Sequence, residues 1–224
     1  MKAIRAPVAV LVLAIVGTTS CRATDPPIVQ PGAGTGPLIV QPGAPGAPSR
    51  VITADRAVDL SRVQHTDADV RFMQGMIGHH GQALEMTALL RAQSNSENMR
   101  LLALRITLSQ EDEIKMMEGW LEARGEAVPS VRDHHAPGAI LMPGMLTAEQ
   151  MGRLGAASGV AFDRLFLEFM IQHHGGALVM VDELFATPGA GQESIISAFA
   201  SDVVADQRAE MDRMGAMLTT MLKE

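Results

Sequence analysis

The sequence predicts an all-α fold: a four-helix bundle built from two duplicated helical hairpins, with a short extra helix in the connection between them. Three observations carry this expectation. Residues 69–86, DVRFMQGMIGHHGQALEM, align without a gap on residues 163–180, DRLFLEFMIQHHGGALVM, with ten of eighteen positions identical, and self-similarity of this kind marks a repeated structural unit. A second correspondence sets Gln110, Glu113, Ile114, Met117 and Leu121 against Gln207, Glu210, Met211, Met214 and Leu218, so each copy is a pair of helices. Apolar residues in all four segments recur at steps of three and four, which places them on one helix face. One hairpin alone would bury too little apolar surface, and the two copies are therefore expected to share a single core.

The first twenty residues stand outside this domain. Lys2 and Arg5 precede an apolar run over residues 6–16, and Gly17, Thr18, Thr19 and Ser20 lead to Cys21, the layout of a secretory signal. The run is too short for a permanent membrane-spanning helix. Around Cys21, the only cysteine, the signal resembles a lipobox, with Thr18 where such signals usually carry an aliphatic residue. Lipidation at Cys21 would anchor the protein to a membrane, and without it the chain would be secreted. Either way the mature protein has no disulfide and no thiolate to offer a metal. Removal of residues 1–20 takes away Lys2 and Arg5, so the charge becomes 16 minus 25, or −9. An acidic chain whose remaining lysines are Lys115 and Lys223 suits neither nucleic acid nor anionic lipid, and cations are its natural partners.

Residues 21–52 are rich in Pro, Gly and Ala and contain IVQPGA twice, at 28–33 and 39–44. Such a composition cannot offset its ordering entropy by burial, and a flexible, extended tether is expected. The folded part then covers residues 53–224, with repeat 1 at about 65–125, a Pro- and Gly-containing connection at 126–158 and repeat 2 at about 159–222. Thr66, with an acid three residues on, and Ser96 are N-cap candidates, and Gly125 is a C-terminal stop. Thr147-Ala-Glu-Gln opens the short helix of the connection with a capping box.

In the first helix Phe72, Met76, His79, Ala83, Met86 and Leu90 form the inward stripe, matched in repeat 2 by Phe166, Met170, His173, Ala177, Met180 and Leu184. His79 and His173 therefore point inward, while His80 and His174 lie about 100° further round, on the flank. The second helices contribute Ile106, Gln110, Glu113, Met117 and Trp120, and Val203, Gln207, Glu210, Met214, Met217 and Met221. With the first hairpin turning near Asn95 or Ser96, antiparallel counting sets His79 level with Glu113. The expected core holds a layer of two histidines and two glutamates, with Gln110 and Gln207 one turn away.

Unpaired buried polar groups cost about 1–3 kcal/mol each, so this layer must be satisfied. A closed set of His–Glu hydrogen bonds would do so and would be purely structural. Six of the seven histidines, however, occur as adjacent pairs, two of them at equivalent places in the repeats and the third at His134-His135, which favours metal binding. Met76 and Met170, one turn before each pair, add thioethers within reach. Met86, Met180, Met214 and Met217 read instead as core filler in a methionine-rich chain with sixteen Met, six Phe, one Trp and no Tyr. Met142-Pro-Gly-Met145 offers a further thioether pair. Imidazole and thioether without thiolate suit copper, as Cu(I) or Cu(II), or silver, and zinc is possible through His and Glu. The candidate metal residues are thus His79, His80, His173, His174, Met76 and Met170. Glu113 and Glu210 would serve as ligands or as acceptors that fix an imidazole tautomer.

Glycines at 75, 78, 81, 175 and 176 each cost on the order of 0.8–1 kcal/mol in a helix interior relative to Ala. Either a close approach of another element or room around the histidines would explain them.

The pattern M-I-x-H-H-G-x-A-x-x-M, present twice and each time followed by Q-x-x-E-[IM]-x-x-M, resembles the bacterial domain-of-unknown-function 305 family, which includes CopM-like periplasmic copper-binding proteins. The resemblance covers about residues 65–222. It implies a ferritin-like four-helix bundle of two repeats, outside the cytoplasm, with links to copper handling, and it carries over onto Met76, His79, His80, Met170, His173 and His174. The expected function is a metal-binding lipoprotein for sequestration, tolerance or delivery of the ion, with a second copy of the chain or a metal-exchange protein as further partners. Di-iron ferritin-like oxidases need Glu-x-x-His in two helices, and no Glu-x-x-His occurs here, so a binding protein without enzymatic activity is expected and a ferritin-like metal-dependent oxidase is the least favoured alternative. A structural or partner-binding envelope bundle with an inert His–Glu core is the competing reading.

Overall fold

The computed structural model describes residues 39–41, 49–54, 64–136 and 138–223, in two units that divide between Asp59 and Leu60. The expected signal segment, Cys21 and most of the tether lie outside the described residues. In the first unit Ile39–Gln41 (β1) pairs antiparallel with Arg50–Ile52 (β2), with Val40 opposite Val51. The stretch expected to be an extended tether thus carries two short paired strands. Ile39, Val40, Val51 and Ile52 have the β-branched side chains that suit paired strands.

The second unit is helical, as the duplication predicts. Repeat 1 forms α1 (Asp67–Gln93) and α2 (Glu97–Glu122), the connection contributes a single 3-10 turn (Asp133–His135) and α3 (Ala148–Ala156), and repeat 2 forms α4 (Gly159–Ala186) and α5 (Ser194–Met221). The expected ends are all present. Thr66 caps α1 in a reciprocal capping box with Asp69, Ser96 accepts from the Met99 N–H at the start of α2, and Thr147 forms a capping box with Gln150. Gly125, at φ 71°, follows α2, and the Glu126 N–H returns to the Leu121 carbonyl, closing the helix through a left-handed residue that glycine adopts without strain. No helix among the described residues is long and apolar enough to cross a membrane.

Within each repeat the two long helices pack on each other, and α1 and α4 join the repeats face to face, with α3 against both. Every residue of the α1 and α4 stripes named above is buried. The apolar core falls into two clusters, one holding Phe72, Met73, Met76, Trp120, Met180 and Phe199, the other Met86, Ile106, Phe162, Phe166, Met170 and Met214. On every long helix the polar residues of the histidine layer lie between segments belonging to these two clusters. Because residues before the α1 histidines share a cluster with residues after the α4 histidines, α1 and α4 cross antiparallel.

The ends of the repeats are tied by polar contacts. Trp120, near the end of α2, donates its indole N–H to Glu193 (2.9 Å) just before α5, while Arg124 bonds the same carboxylate (3.0 Å) and lies 4.1 Å over the indole ring. Buried Asp69 accepts from the Thr66 and Gly191 N–H groups, both at 2.7 Å, linking the start of α1 to the α4–α5 turn.

Candidate metal centre

All four histidines of the repeats are buried at the α1–α4 crossing. The His79 and His173 rings lie 3.8 Å apart, centroid to centroid. His79 Nε2 lies 3.1 Å from the Pro143 carbonyl, and His173 Nε2 lies 3.0 Å from the carbonyl of His79. The glutamates are met by the other two rings: His80 Nε2 is 2.5 Å from Glu113, and His174 Nε2 is 2.6 Å from Glu210.

A layer of histidine and glutamate therefore exists, but the expected partnership of His79 with Glu113 is corrected to His80 with Glu113. Counting along one hairpin treats α2 as the only surface that α1 faces. In the bundle the centre of the α1 stripe faces α4, so His79 meets His173. The residue about 100° further round faces the hairpin partner and finds its carboxylate. The same rotation applies in repeat 2.

Carbonyl and carboxylate oxygens accept, so each Nε2 donates, and a neutral ring then keeps its lone pair on Nδ1. All four Nδ1 atoms are buried and make no hydrogen bond. Burial above all, with the neighbouring His80 and His174 adding to it, lowers the pKa of His79 to about 3. Burial, then His79 and His174, likewise holds His173 well below the usual range. Both central rings are neutral near pH 7, the state a metal requires. Met76 and Met170 are fully buried one turn before the pairs and belong to opposite core clusters, so each pair has one methionine, on opposite sides of the layer. Gln110 and Gln207 are buried with their Oε1 atoms unpartnered.

The outer edge of the layer reaches a groove between α2 and α5 lined by Arg105, Ser109, Asp206, Ala209, Glu210 and Arg213. Ser109 donates to Glu113 at 3.3 Å. Desolvation, followed by the charges of Glu113, Glu210 and Asp202, raises the pKa of Asp206, with Arg105 opposing the shift, so carboxylates and guanidinium groups mix where the layer approaches solvent.

The connection closes the opposite side, and it accounts for two of the five helix glycines. A Cβ on Gly81 would stand 2.1 Å from the Val131 carbonyl oxygen, and one on Gly176 would stand 1.9 Å from that of Pro143. Loop backbone, not a neighbouring helix, rests on the helices at these points. Gly78 and Gly175 have open space instead. Gln82 exchanges two hydrogen bonds with the Leu146 backbone (2.6 and 2.9 Å), and the pinned loop presents the Pro143 carbonyl to His79.

Beyond this layer, Glu85 on α1 meets the third histidine pair. His135 Nε2 lies 2.7 Å and His134 Nε2 3.5 Å from its two carboxylate oxygens. Among the described residues these three form the one group of His, Asp or Glu that brings three ligand atoms within 4.8 Å of one another. The four bundle histidines do not converge to that degree. Sequence reasoning noted His134-His135 without a role and missed Glu85. A signal existed in the alignment of the repeats, where Glu85 stands against Val179 inside an otherwise matching segment.

The DUF305 model, a domain of unknown function, matches residues 69–218. No curated protein sequence matches this chain. Among solved structures, a DUF305 protein from Streptomyces coelicolor, given a secreted-protein name, is similar at 28% identity and TM-score 0.60 over 69% of this chain and 93% of its own. A DUF305 fragment from Deinococcus radiodurans is similar at 30% identity and TM-score 0.60 over 70% and 98%. CopM in its Cu(II)-bound form shares 25% identity at TM-score 0.56 over 68% and 96%, and CopM has also been solved with Cu(I) and with silver. With the repeats, the bundle and the match over residues 69–218 in agreement, this chain belongs to the DUF305 family.

Proposed function

We propose that this protein is a non-enzymatic, extracytoplasmic copper-binding protein that takes Cu(I), or silver, at the histidine layer for sequestration, tolerance or delivery. Lipidation at Cys21 would hold it at a membrane. The observation that carries this reading is the set of four buried Nδ1 atoms without partners, on rings whose Nε2 atoms are held by carbonyls or by Glu113 and Glu210. Holding the second ring nitrogen is how proteins orient an imidazole for a metal. No three of these nitrogens and carboxylates converge, so the layer suits soft ions of low coordination number, with Met76 and Met170 as the nearby thioethers. The similarity to CopM, solved with Cu(I), Cu(II) and silver, and the export-type leader support the same reading. The glutamates act as acceptors for His80 and His174 rather than as ligands.

Anaerobic titration of the purified protein with Cu(I), beside a His79→Ala/His173→Ala variant, tests it. Tight binding in the parent and its loss in the variant are expected, and equal binding in the two would remove the site. A second reading is favoured by the short His80–Glu113 and His174–Glu210 contacts: an inert polar layer that fixes helix pairing. A stable parent that binds no Cu(I) would support it.

A further inference from the structure

The connection and α1 build a second group of donors that has no counterpart in repeat 2. Residues 74, 78, 81 and 85 follow steps of four, three and four and so share one face of α1, opposite in role to the buried stripe. The loop covers that face. Gly81 lets the Val131 carbonyl rest on the helix, and one turn further on Glu85 receives the two histidines. The local fold of the loop is set by its own bonds: the Ser130 N–H donates to Asp133 (3.0 Å), and the Arg132 N–H donates to the Ser130 hydroxyl (3.2 Å). The 3-10 turn at Asp133–His135 then brings the two imidazoles together, with centroids 4.1 Å apart and planes tilted by 39°, beside the Glu85 carboxylate.

His134 is the informative member. Its side chain is 5% exposed, yet neither ring nitrogen makes a hydrogen bond. The 3.5 Å approach of its Nε2 to Glu85 is an ion-pair distance without hydrogen-bond geometry. A structural histidine at this burial would be expected to have a partner. It borders a cavity of about 210 Å³ whose lining includes Gly75, Gly78, Met142 and Met145, so the ring has space as well as an unmet demand. His135, 58% exposed, leaves the other side of the group accessible to water.

We propose that Glu85, His134 and His135 bind a divalent transition-metal cation, at a site separate from the histidine layer. Two imidazoles and one carboxylate, without thiolate, match the ligand types of zinc and Cu(II), and a set of three protein donors with an open side leaves a position for water. At such a site Cu(II) binds more tightly than Zn(II). The histidine layer offers no such three-donor set, so the two sites differ in the charge of the ion they favour.

Titration of the full chain with Zn(II), and separately with Cu(II), distinguishes the sites when four proteins are compared: the parent, Glu85→Gln, His134→Ala/His135→Ala, and His79→Ala/His173→Ala. One equivalent of Zn(II) is expected in the parent and in His79→Ala/His173→Ala. It should weaken at least tenfold in Glu85→Gln and disappear in His134→Ala/His135→Ala. The Cu(II) form should show electron-spin coupling to imidazole nitrogen that is lost in His134→Ala/His135→Ala. Glu85→Gln preserves size and, with far-ultraviolet circular dichroism as a check on folding, keeps the test valid if the double variant unfolds. Zn(II) binding unchanged in Glu85→Gln, or lost only with His79 and His173, would overturn the assignment. Because Cu(I) binding is read on different residues, failure of the layer and failure of this site give different patterns.

Discussion

The two repeats carry the same histidines but do not treat them alike. His80 and His174 each meet the glutamate of their own hairpin, at 2.5 and 2.6 Å, and this half of the layer obeys the duplication. The inner pair does not: His79 bonds the connection at Pro143, whereas His173 bonds the backbone of His79. The outer face of α1 also receives a carboxylate and two further imidazoles, while α4 presents Val179 at the position of Glu85, 44% exposed. The duplicated hairpins thus supply the buried layer, and the single-copy connection breaks its two-fold symmetry. Chemistry that differs between the repeats is to be sought where the loop lies.

The largest expected effect concerns the symmetric part. Folded His79 stays neutral down to about pH 3, and His173 is also held well below its ordinary value. In the unfolded chain both protonate near 6.5. Between pH 6.5 and about 3 the unfolded state binds more protons, so stability is complete above that window and falls as the pH drops through it. For His79 the slope within that window should be about 1.4 kcal/mol per pH unit, and His173 adds to it in the same direction. Urea unfolding of the metal-free protein at several pH values measures it, and His173→Gln should remove its share.

Next come the glycines under the loop. Gly81→Ala and Gly176→Ala each force a carbonyl away from a helix and should cost about 1–3 kcal/mol or more. Only Gly81→Ala should also weaken Zn(II) binding, because it displaces the segment that carries His134 and His135. Equal effects of both on Zn(II) would contradict the asymmetry described above.

Glu113→Ala and Glu210→Ala should destabilise by about 1–3 kcal/mol each, leaving a buried imidazole N–H without its acceptor. Similar losses in the two denaturation curves would confirm that this part of the layer is symmetric. The smallest change is Gly78→Ala, which meets nothing within 4 Å and should stabilise by up to about 0.8–1 kcal/mol through helix propensity.

Much of this was legible in the sequence because it is local or repeated. Caps at Thr66, Ser96 and Thr147, the stop at Gly125 and the stripes of α1 and α4 follow from spacing within one segment. The pairing of His80 with Glu113 was not legible, since it depends on α4 occupying the centre of the α1 stripe, which no count along a single hairpin contains. The reasons for Gly81 and Gly176 lie 50 and 33 residues away, in the carbonyls of Val131 and Pro143, and small residues give no hint of what rests on them. Glu85 gains its partners only in the fold, because His134 and His135 stand 49 and 50 residues further along the chain.

The seam closed by Trp120, Arg124 and Glu193 has a practical consequence. The chain has one tryptophan and no tyrosine, and that indole bridges the end of one repeat and the start of a helix in the other. Its emission is therefore a built-in optical gauge of whether the repeats stay docked. Undocking of the two repeats during denaturation can be followed at this seam without attaching a dye.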